Sequence, residues 1–298
     1  MTRNSVLILF VIFLLMACSN HSSDQVDVYK IRLNKKETNK INTRQKTDNV
    51  LQVAIATMIS PKETFVYYKD LLNYIGKRLN RVVVFKQRKT YKEVNDMIKK
   101  KQLDLAFVCS GAYVQARKEF PIEILAVPVV NGKPFYRAYI IVHRMSQFRK
   151  FQDLRGHSFA FTDPLSNTGF FFVRDLLEEM GTGPEQFFSK TIFTYAHDYS
   201  IQAVSRKIVD GASVDGLVYD YLKETQPEKV ENTRIIKKSG FFGIPPIVTH
   251  ADESFKLKQK LKNILITMHR DSTGRRILRQ LNIDRFEAGD PHNYDMIE

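Results

Sequence analysis

The chain has no tryptophan, two cysteines among 298 residues, and only 13 glycines and 10 prolines. Without tryptophan, a large platform for stacking carbohydrate is not expected, although phenylalanine and tyrosine can supply a smaller one. Cys18 and Cys109 are the one pair a disulfide could join. Such a bridge would tie a polar leader to a strand end, so the fold is expected to hold by core packing instead. Several chemistries lack their signatures. There is no Gly-x-Ser-x-Gly elbow, no His-Glu-x-x-His, no Cys-x-x-Cys and no Walker loop. Catalysis is therefore not expected, and neither a cofactor nor a metal is implied. The absence of a short-period repeat argues against a solenoid.

What is present is ordinary in bulk and uneven in charge. At 43% hydrophobic and 26% charged, the chain can bury a real core. Its length suits one large domain or two of usual size. The net charge of +14 points to anionic partners. The basic residues are dispersed, and Lys99-Lys100-Lys101 and the Lys256, Lys258, Lys260, Lys262 series read first as solvated faces.

The N-terminus carries an address. Thr2-Arg3-Asn4 is short and basic, Val6 to Met16 is apolar, and Ala17-Cys18 follows. The apolar run is shorter than the roughly 20 residues that span a bilayer, so it reads as a secretory signal. The Cys after a small residue resembles the lipobox of bacterial lipoproteins, although Met16 stands where a small residue is commoner. The resemblance implies a signal peptide over 1–17, acylation at Cys18 and a periplasmic or cell-surface protein held to a membrane by lipid. A plain cleaved signal and an uncleaved anchor are the alternatives. With lipid on Cys18, Cys109 would be alone. Residues 18–49 are rich in Asn, Lys, Ser, Thr and Asp and read as a flexible tether. An exported chain seldom meets nucleic acid, so nucleic acid is not expected as the anionic partner.

From Val50 onward, apolar strand-like runs alternate with amphipathic helical stretches. Strands are expected over Val50–Ala56, Arg81–Phe85, Leu103–Val108, Ile122–Val130 and Tyr136–His143. The pattern then restarts with Ser158–Phe161, Thr191–Tyr195, Val214–Tyr219 and Thr233–Lys237. Pro245-Pro246 breaks the chain, and helices are expected around 255–269 and 273–281. This predicts an α/β fold with mostly parallel sheets in two lobes. Ligands of open α/β sheets sit where strands end and helices begin. Four such exits carry small or polar residues: Thr57 to Thr64, Cys109 to Tyr113, Asp163 to Gly169, and Tyr195 to Asp198. Taken singly, each has a plain reading. Ser166 or Thr168 is a helix cap, His197 a structural hydrogen-bonder, Asp215 a turn residue, and Tyr91 and Tyr113 are core or rim aromatics.

Taken together they match a family. Asp104-Leu-Ala-Phe-Val-Cys-Ser-Gly-Ala-Tyr113, Asp153-Leu-Arg-Gly-His-Ser-Phe-Ala-Phe-Thr-Asp-Pro164, Ser166-Asn-Thr-Gly169, His197-Asp198, Val214-Asp215-Gly216 and Gly243-Ile-Pro-Pro246 occur in this order. The series resembles the PhnD-like phosphate, phosphite and phosphonate receptors of bacterial ABC importers, from about Val50 to the C-terminus. The resemblance implies a two-lobed periplasmic-binding-protein fold of type II kind with a ligand cleft. Lobe I would comprise 50–138 plus 241–298, and lobe II 139–240. It implies that Ser166, Asn167, Thr168 and Gly169 grip a small oxyanion at a helix start and that His197 donates to it. Ser110, Gly111 and Tyr113 would approach from the other lobe, with Tyr91 closing the side. Asp215 would face a ligand amine or orient His197. Asn167 stands where the family usually has a hydroxyl residue, and Ser110-Gly111 where Gly-Pro is commoner. The partners implied are an oxyanion, an ABC permease and a membrane reached through lipid, with the receptor itself a monomer. Two other readings remain: a stand-alone ligand-sensing lipoprotein, and a hydrolase built on Ser166, His197 and Asp215.

Overall fold

The structure, a computed structural model, describes residues 49–297. The signal peptide expected at 1–17, the acylation site Cys18 and all of the expected tether but its last residue lie outside the described residues. The chain first runs β1 (Val50–Ile55), α1 (Pro61–Leu79), β2 (Val82–Lys86), α2 (Tyr91–Lys99), β3 (Leu105–Phe107), α3 (Ser110–Glu119) and β4 (Ile122–Val129). β5 (Phe135–Tyr136) leads across to β6 (Ala138–His143) and β7 (Ser158–Phe161). There follow α4 (Phe172–Glu179), α5 (Pro184–Phe187), β8 (Lys190–Phe193), α6 (His197–Ser205), β9 (Gly211–Asp215), α7 (Gly216–Thr225) and β10 (Thr233–Lys238). The return passes through β11 (Phe242–Gly243) into β12 (Ile247–His250), α8 (Phe255–Thr267), α9 (Ser272–Gln280) and β13 (Arg285–Glu287).

Local chemistry explains the elements. α1 opens on Pro61, whose missing N–H is harmless in a first turn, and turns Leu71, Leu72 and Ile75 inward. It stops at Asn80, which takes a left-handed φ of 53°. α2 begins with a reciprocal cap: the Thr90 side chain accepts from the Glu93 N–H, and Glu93 accepts from the Thr90 N–H. The strands assemble into two main sheets. One has the order β13-β4-β12-β3-β1-β2, the other β10-β6-β9-β7-β8. We call the bodies around them the first and second lobes. A small pair, β5 with β11, lies where the chain crosses between them in both directions.

The sheets are mixed, which corrects the expectation of mostly parallel pairing. β1 runs parallel to β2 and β3, and β7 parallel to β8 and β9. β12 is antiparallel to β3 and β4, and β6 is antiparallel to β9 and β10. Parallel neighbours need a crossover over one face of the sheet. β12 arrives from the other lobe through Pro245-Pro246 with no helix between, so it enters in the opposite sense. β12 and β13 were not foreseen, because runs of a few residues carry too little periodicity to read.

Each lobe has its own core. Leu51, Val53, Leu71, Ile75, Leu105 and Leu261 are fully buried in the first. The second is filled with phenylalanine in place of tryptophan. Phe151 stacks on Phe187 at 5.1 Å, and Phe159 on Phe188 at 4.4 Å. No helix among the described residues is long and apolar enough to cross a membrane.

The lobes are closed on each other. The His197 N–H donates to the Met58 carbonyl at 2.9 Å, and the Ser60 N–H to Asp198 Oδ1 at 2.9 Å. The Tyr91 N–H donates to Asp163 Oδ2 at 3.1 Å. Farther out, Lys229 Nζ lies 3.3 Å from Glu63 Oε1, and the Tyr67 and Tyr221 rings meet edge to face at 5.1 Å.

Candidate functional site

Two helix starts face each other across the closed interface. In the second lobe, β7 runs into a loop that Asp163 shapes by accepting the Leu165 N–H at 2.8 Å. Ser166 then caps the next turn, its Oγ accepting from the Gly169 N–H at 3.0 Å. That turn, Asn167–Phe171, is a π-helical one leading directly into α4. The Ser166 carbonyl accepts both Phe170 and Phe171 N–H groups, at 2.9 and 3.0 Å, so the turn is wider than an α-turn. Only glycine fits at 169, since a Cβ there would lie 2.6 Å from the Thr162 side chain.

The opposing start belongs to α3. A Cβ at Gly111 would sit 2.6 Å from the Leu165 carbonyl oxygen and 2.8 Å from the Asn167 nitrogen. Glycine here sets how closely the lobes approach. Cys109 Sγ lies in the seam. Burial pushes its thiol pKa up, opposed by hydrogen bonds from the backbone N–H groups of Asn167 and Gly111 and from the Ser166 side chain.

His197 is fully buried at the start of α6. The Asp215 N–H donates to its Nδ1 at 3.0 Å, and Thr162 Oγ1 lies 3.0 Å from the same nitrogen. A backbone N–H can only donate, so Nδ1 accepts. Burial holds the imidazole pKa down at about 3, so the ring is neutral and its one proton sits on Nε2. That nitrogen points toward Ser166 Oγ at 3.5 Å. The polarity is the reverse of a nucleophile set. Nε2 carries the proton and cannot take one from Ser166, and Asp215 holds the ring through its backbone instead of its carboxylate. Asp215 Oδ1 caps α7, accepting the Leu217 N–H at 2.7 Å. Its burial raises the carboxyl pKa to about 7, against the pull of the Leu217 and Val218 N–H groups.

The structure brings together Tyr91, Gly111, Ser166, Asn167, Thr168, Gly169, His197 and Asp215. Within this cluster two hydroxyls are buried without any partner, Tyr91 Oη from the first lobe and Thr168 Oγ1 from the second. Such groups are costly to leave unmet. Asn167 Nδ2 is 3.4 Å from Tyr136 Oη, so the residue that replaces a hydroxyl sends its amide toward a tyrosine of the crossover. Two expected contacts are different. Ser110 Oγ donates to the Gly243 carbonyl at 2.6 Å, which occupies its only proton. The Tyr113 ring packs on Tyr294 at 4.9 Å, with the Arg117 guanidinium 5.9 Å from its centre. Both serve the first lobe's own packing. Sequence reasoning gave no site role to Tyr136 or Thr162, and placed Cys109 and Asp163 only at the edges of candidate strand exits. Thr162 and Asp163 stood inside a quoted motif, and only their contacts reveal their work. No group of three or more His, Cys, Asp or Glu among the described residues is placed to hold a metal ion.

Comparison with known proteins identifies the family and the fold. The family model described as the periplasmic substrate-binding protein of a phosphonate ABC transporter matches residues 53–294. The phosphonates-binding periplasmic protein of Escherichia coli is 24% identical over 192 residues, 63% of this chain and 56% of that protein. The match thus spans little more than half the length of that relative. A binding protein component of an ABC phosphonate transporter from Pseudomonas aeruginosa has the same fold, with a TM-score of 0.78 at 22% identity, covering 82% of this chain and 83% of that one. PhnD1 from Prochlorococcus marinus, solved in complex with methylphosphonate, gives a TM-score of 0.77 at 18% identity, covering 84% of this chain and 96% of that one.

Proposed function

Because the chain belongs to the family of periplasmic phosphonate-binding proteins of ABC transporters, we propose that it captures a small phosphorus oxyanion outside the cytoplasm and delivers it to an importer. The observation that carries this reading is the pair of orphan hydroxyls, Tyr91 Oη of the first lobe and Thr168 Oγ1 of the second, together with a neutral His197 whose Nε2–H has only a 3.5 Å contact to Ser166 Oγ. An anion at this point would accept from both hydroxyls, from His197 and from the Thr168 N–H, since the Asn167, Gly169, Phe170 and Phe171 N–H groups are already given to Cys109 and Ser166. In this account Ser166 and Gly169 shape the socket, Asn167 lines it, and Gly111 lets the lobes shut. Asp215 backs it by fixing His197. Ser110 and Tyr113 support the first lobe.

The lobes would comprise 50–138 plus 241–298 and 139–240, hinged at the β5–β11 crossover. The open form admits the anion, and closure excludes water and strengthens each hydrogen bond. A permease would recognise the closed, loaded form. Acylation at Cys18 would hold a monomeric receptor at the membrane. Calorimetric titration with methylphosphonate, phosphite and phosphate tests the reading. Binding of at least one, with a linked stabilisation of about 2.7 kcal/mol at a hundredfold excess over Kd, is expected. Absence of heat and of thermal shift with all three would contradict it.

A further inference from the structure

A cavity of about 180 Å³ lies between the closed lobes beside the socket. Ile55, Tyr68, Phe107 and Val130 line it from the first lobe, and Leu217 and Val218 from the second. An apolar cavity of about 150 Å³ takes up benzene and stays dry without it. This one is of comparable size but partly open, and its mainly apolar wall also carries Glu63, Asp198, Asp215 and Asp220. Its carboxylates are already engaged. Asp198 Oδ1 accepts from Ser60, Glu63 pairs with Lys229, Asp220 accepts the Tyr139 hydroxyl, and Asp215 Oδ1 caps α7.

The cavity adjoins the proposed anion site through two residues. Asp215 lines it and also holds the His197 ring in place. Ala56 lines it and packs against Tyr91 and Cys109. His197 and Thr168 do not themselves line the cavity; Asp215 is the residue it shares with the proposed anion site.

Resting on the function proposed above, we infer that this chamber receives the hydrocarbon substituent of an organophosphonate, so that the chain selects phosphonates with a bulky apolar group, up to about the size of a phenyl ring. The substituent is buried in the closed form against side chains of both lobes, so it also holds them together. Inorganic phosphate and phosphite leave the chamber empty and bind more weakly.

The test is calorimetric titration of the full chain with methyl-, n-propyl-, n-butyl- and phenylphosphonate, and with 2-aminoethylphosphonate. Affinity is expected to rise roughly fourfold per buried methylene, and so by tens of fold from methyl to butyl, with phenyl at least equal to butyl. 2-Aminoethylphosphonate, near in shape to n-propylphosphonate but cationic at its end, is expected to bind more weakly than it. In Val218→Phe, which fills the chamber, the butyl-to-methyl ratio should fall toward one. If that variant does not fold, the wild-type series decides alone. Methylphosphonate binding with no gain along the series, or the aminoethyl compound binding more tightly than the propyl, overturns the inference and leaves the oxyanion function standing. Failure of every compound, methylphosphonate included, overturns both.

Discussion

The two helix starts that meet in the seam resemble each other in sequence and differ in what their side chains are free to do. On the first-lobe side, Ser110 gives its proton to Gly243 and Tyr113 packs on Tyr294. Those polar groups hold the crossover and the core. On the second-lobe side, Thr168 Oγ1 has no partner and the His197 Nε2–H has only a long contact to Ser166. Small polar residues at a strand exit are therefore not equivalent. The ones available to a ligand are those the fold leaves unsatisfied. The first lobe contributes closure and one orphan hydroxyl on Tyr91, and the second contributes most of the donors.

One of the two largest effects should come from preventing the two starts from meeting. Gly111→Ala places a methyl group against the Leu165 and Asn167 backbones, which cannot move aside as a flexible side chain would. Overpacking costs about 1–3 kcal/mol, so methylphosphonate affinity should fall roughly 5- to 150-fold by calorimetry. Denaturant stability of the unliganded protein should change little, because the lobes can part.

Next in size is an opposition of two buried titrations in the second lobe. The folded pKa of His197 is about 3, against about 6.5 for a free imidazole. Between these values the unfolded chain binds a proton that the fold refuses, so this group lowers stability as pH falls from about 6.5 toward 3. The folded pKa of Asp215 is about 7, against about 3.9 for a free carboxyl. Between these values the fold binds the proton first, so this group lowers stability as pH rises from about 4 to 7. Urea unfolding across pH 4–7 should separate them. His197→Gln should make stability fall more steeply with rising pH, and Asp215→Asn should make it climb, each by up to about 1.4 kcal/mol per pH unit. Parallel curves for the two variants would break the assignment.

Smaller still are the first-lobe side chains. Ser110→Ala should lower stability by about 1 kcal/mol through the lost bond to Gly243, while affinity changes less than about threefold. Tyr113→Phe should leave affinity unchanged, since its ring and not its hydroxyl makes the Tyr294 contact. A large loss of binding in either variant would erase the contrast between the two starts.

Much of this molecule was legible in its sequence. The alternation of apolar runs and helical faces located most strands, and Ser166-Asn167-Thr168-Gly169 and His197, picked out as a group, do fall in one neighbourhood of the fold. What the sequence did not contain was direction. Whether β12 runs with or against β3 depends on a connection through Pro245-Pro246, which periodicity does not encode. Nor did it indicate which hydroxyls are occupied. Ser110 and Thr168 look equally suitable until Gly243 is seen beside one and nothing beside the other. The π-turn at 167–171 was likewise hidden, since its wider hydrogen bonding leaves no mark on residue type.

The most direct test of the second lobe's role is the affinity of Thr168→Val for methylphosphonate, measured by calorimetry beside its unliganded denaturant stability. The change removes a buried, unpartnered hydroxyl and keeps the shape. A hydrogen bond to a charged group is worth about 1.5–3 kcal/mol. Affinity should therefore drop roughly 10- to 150-fold, while the empty protein stays as stable as before or becomes slightly more so. Unchanged affinity would remove this hydroxyl, and the helix start that carries it, from the binding site.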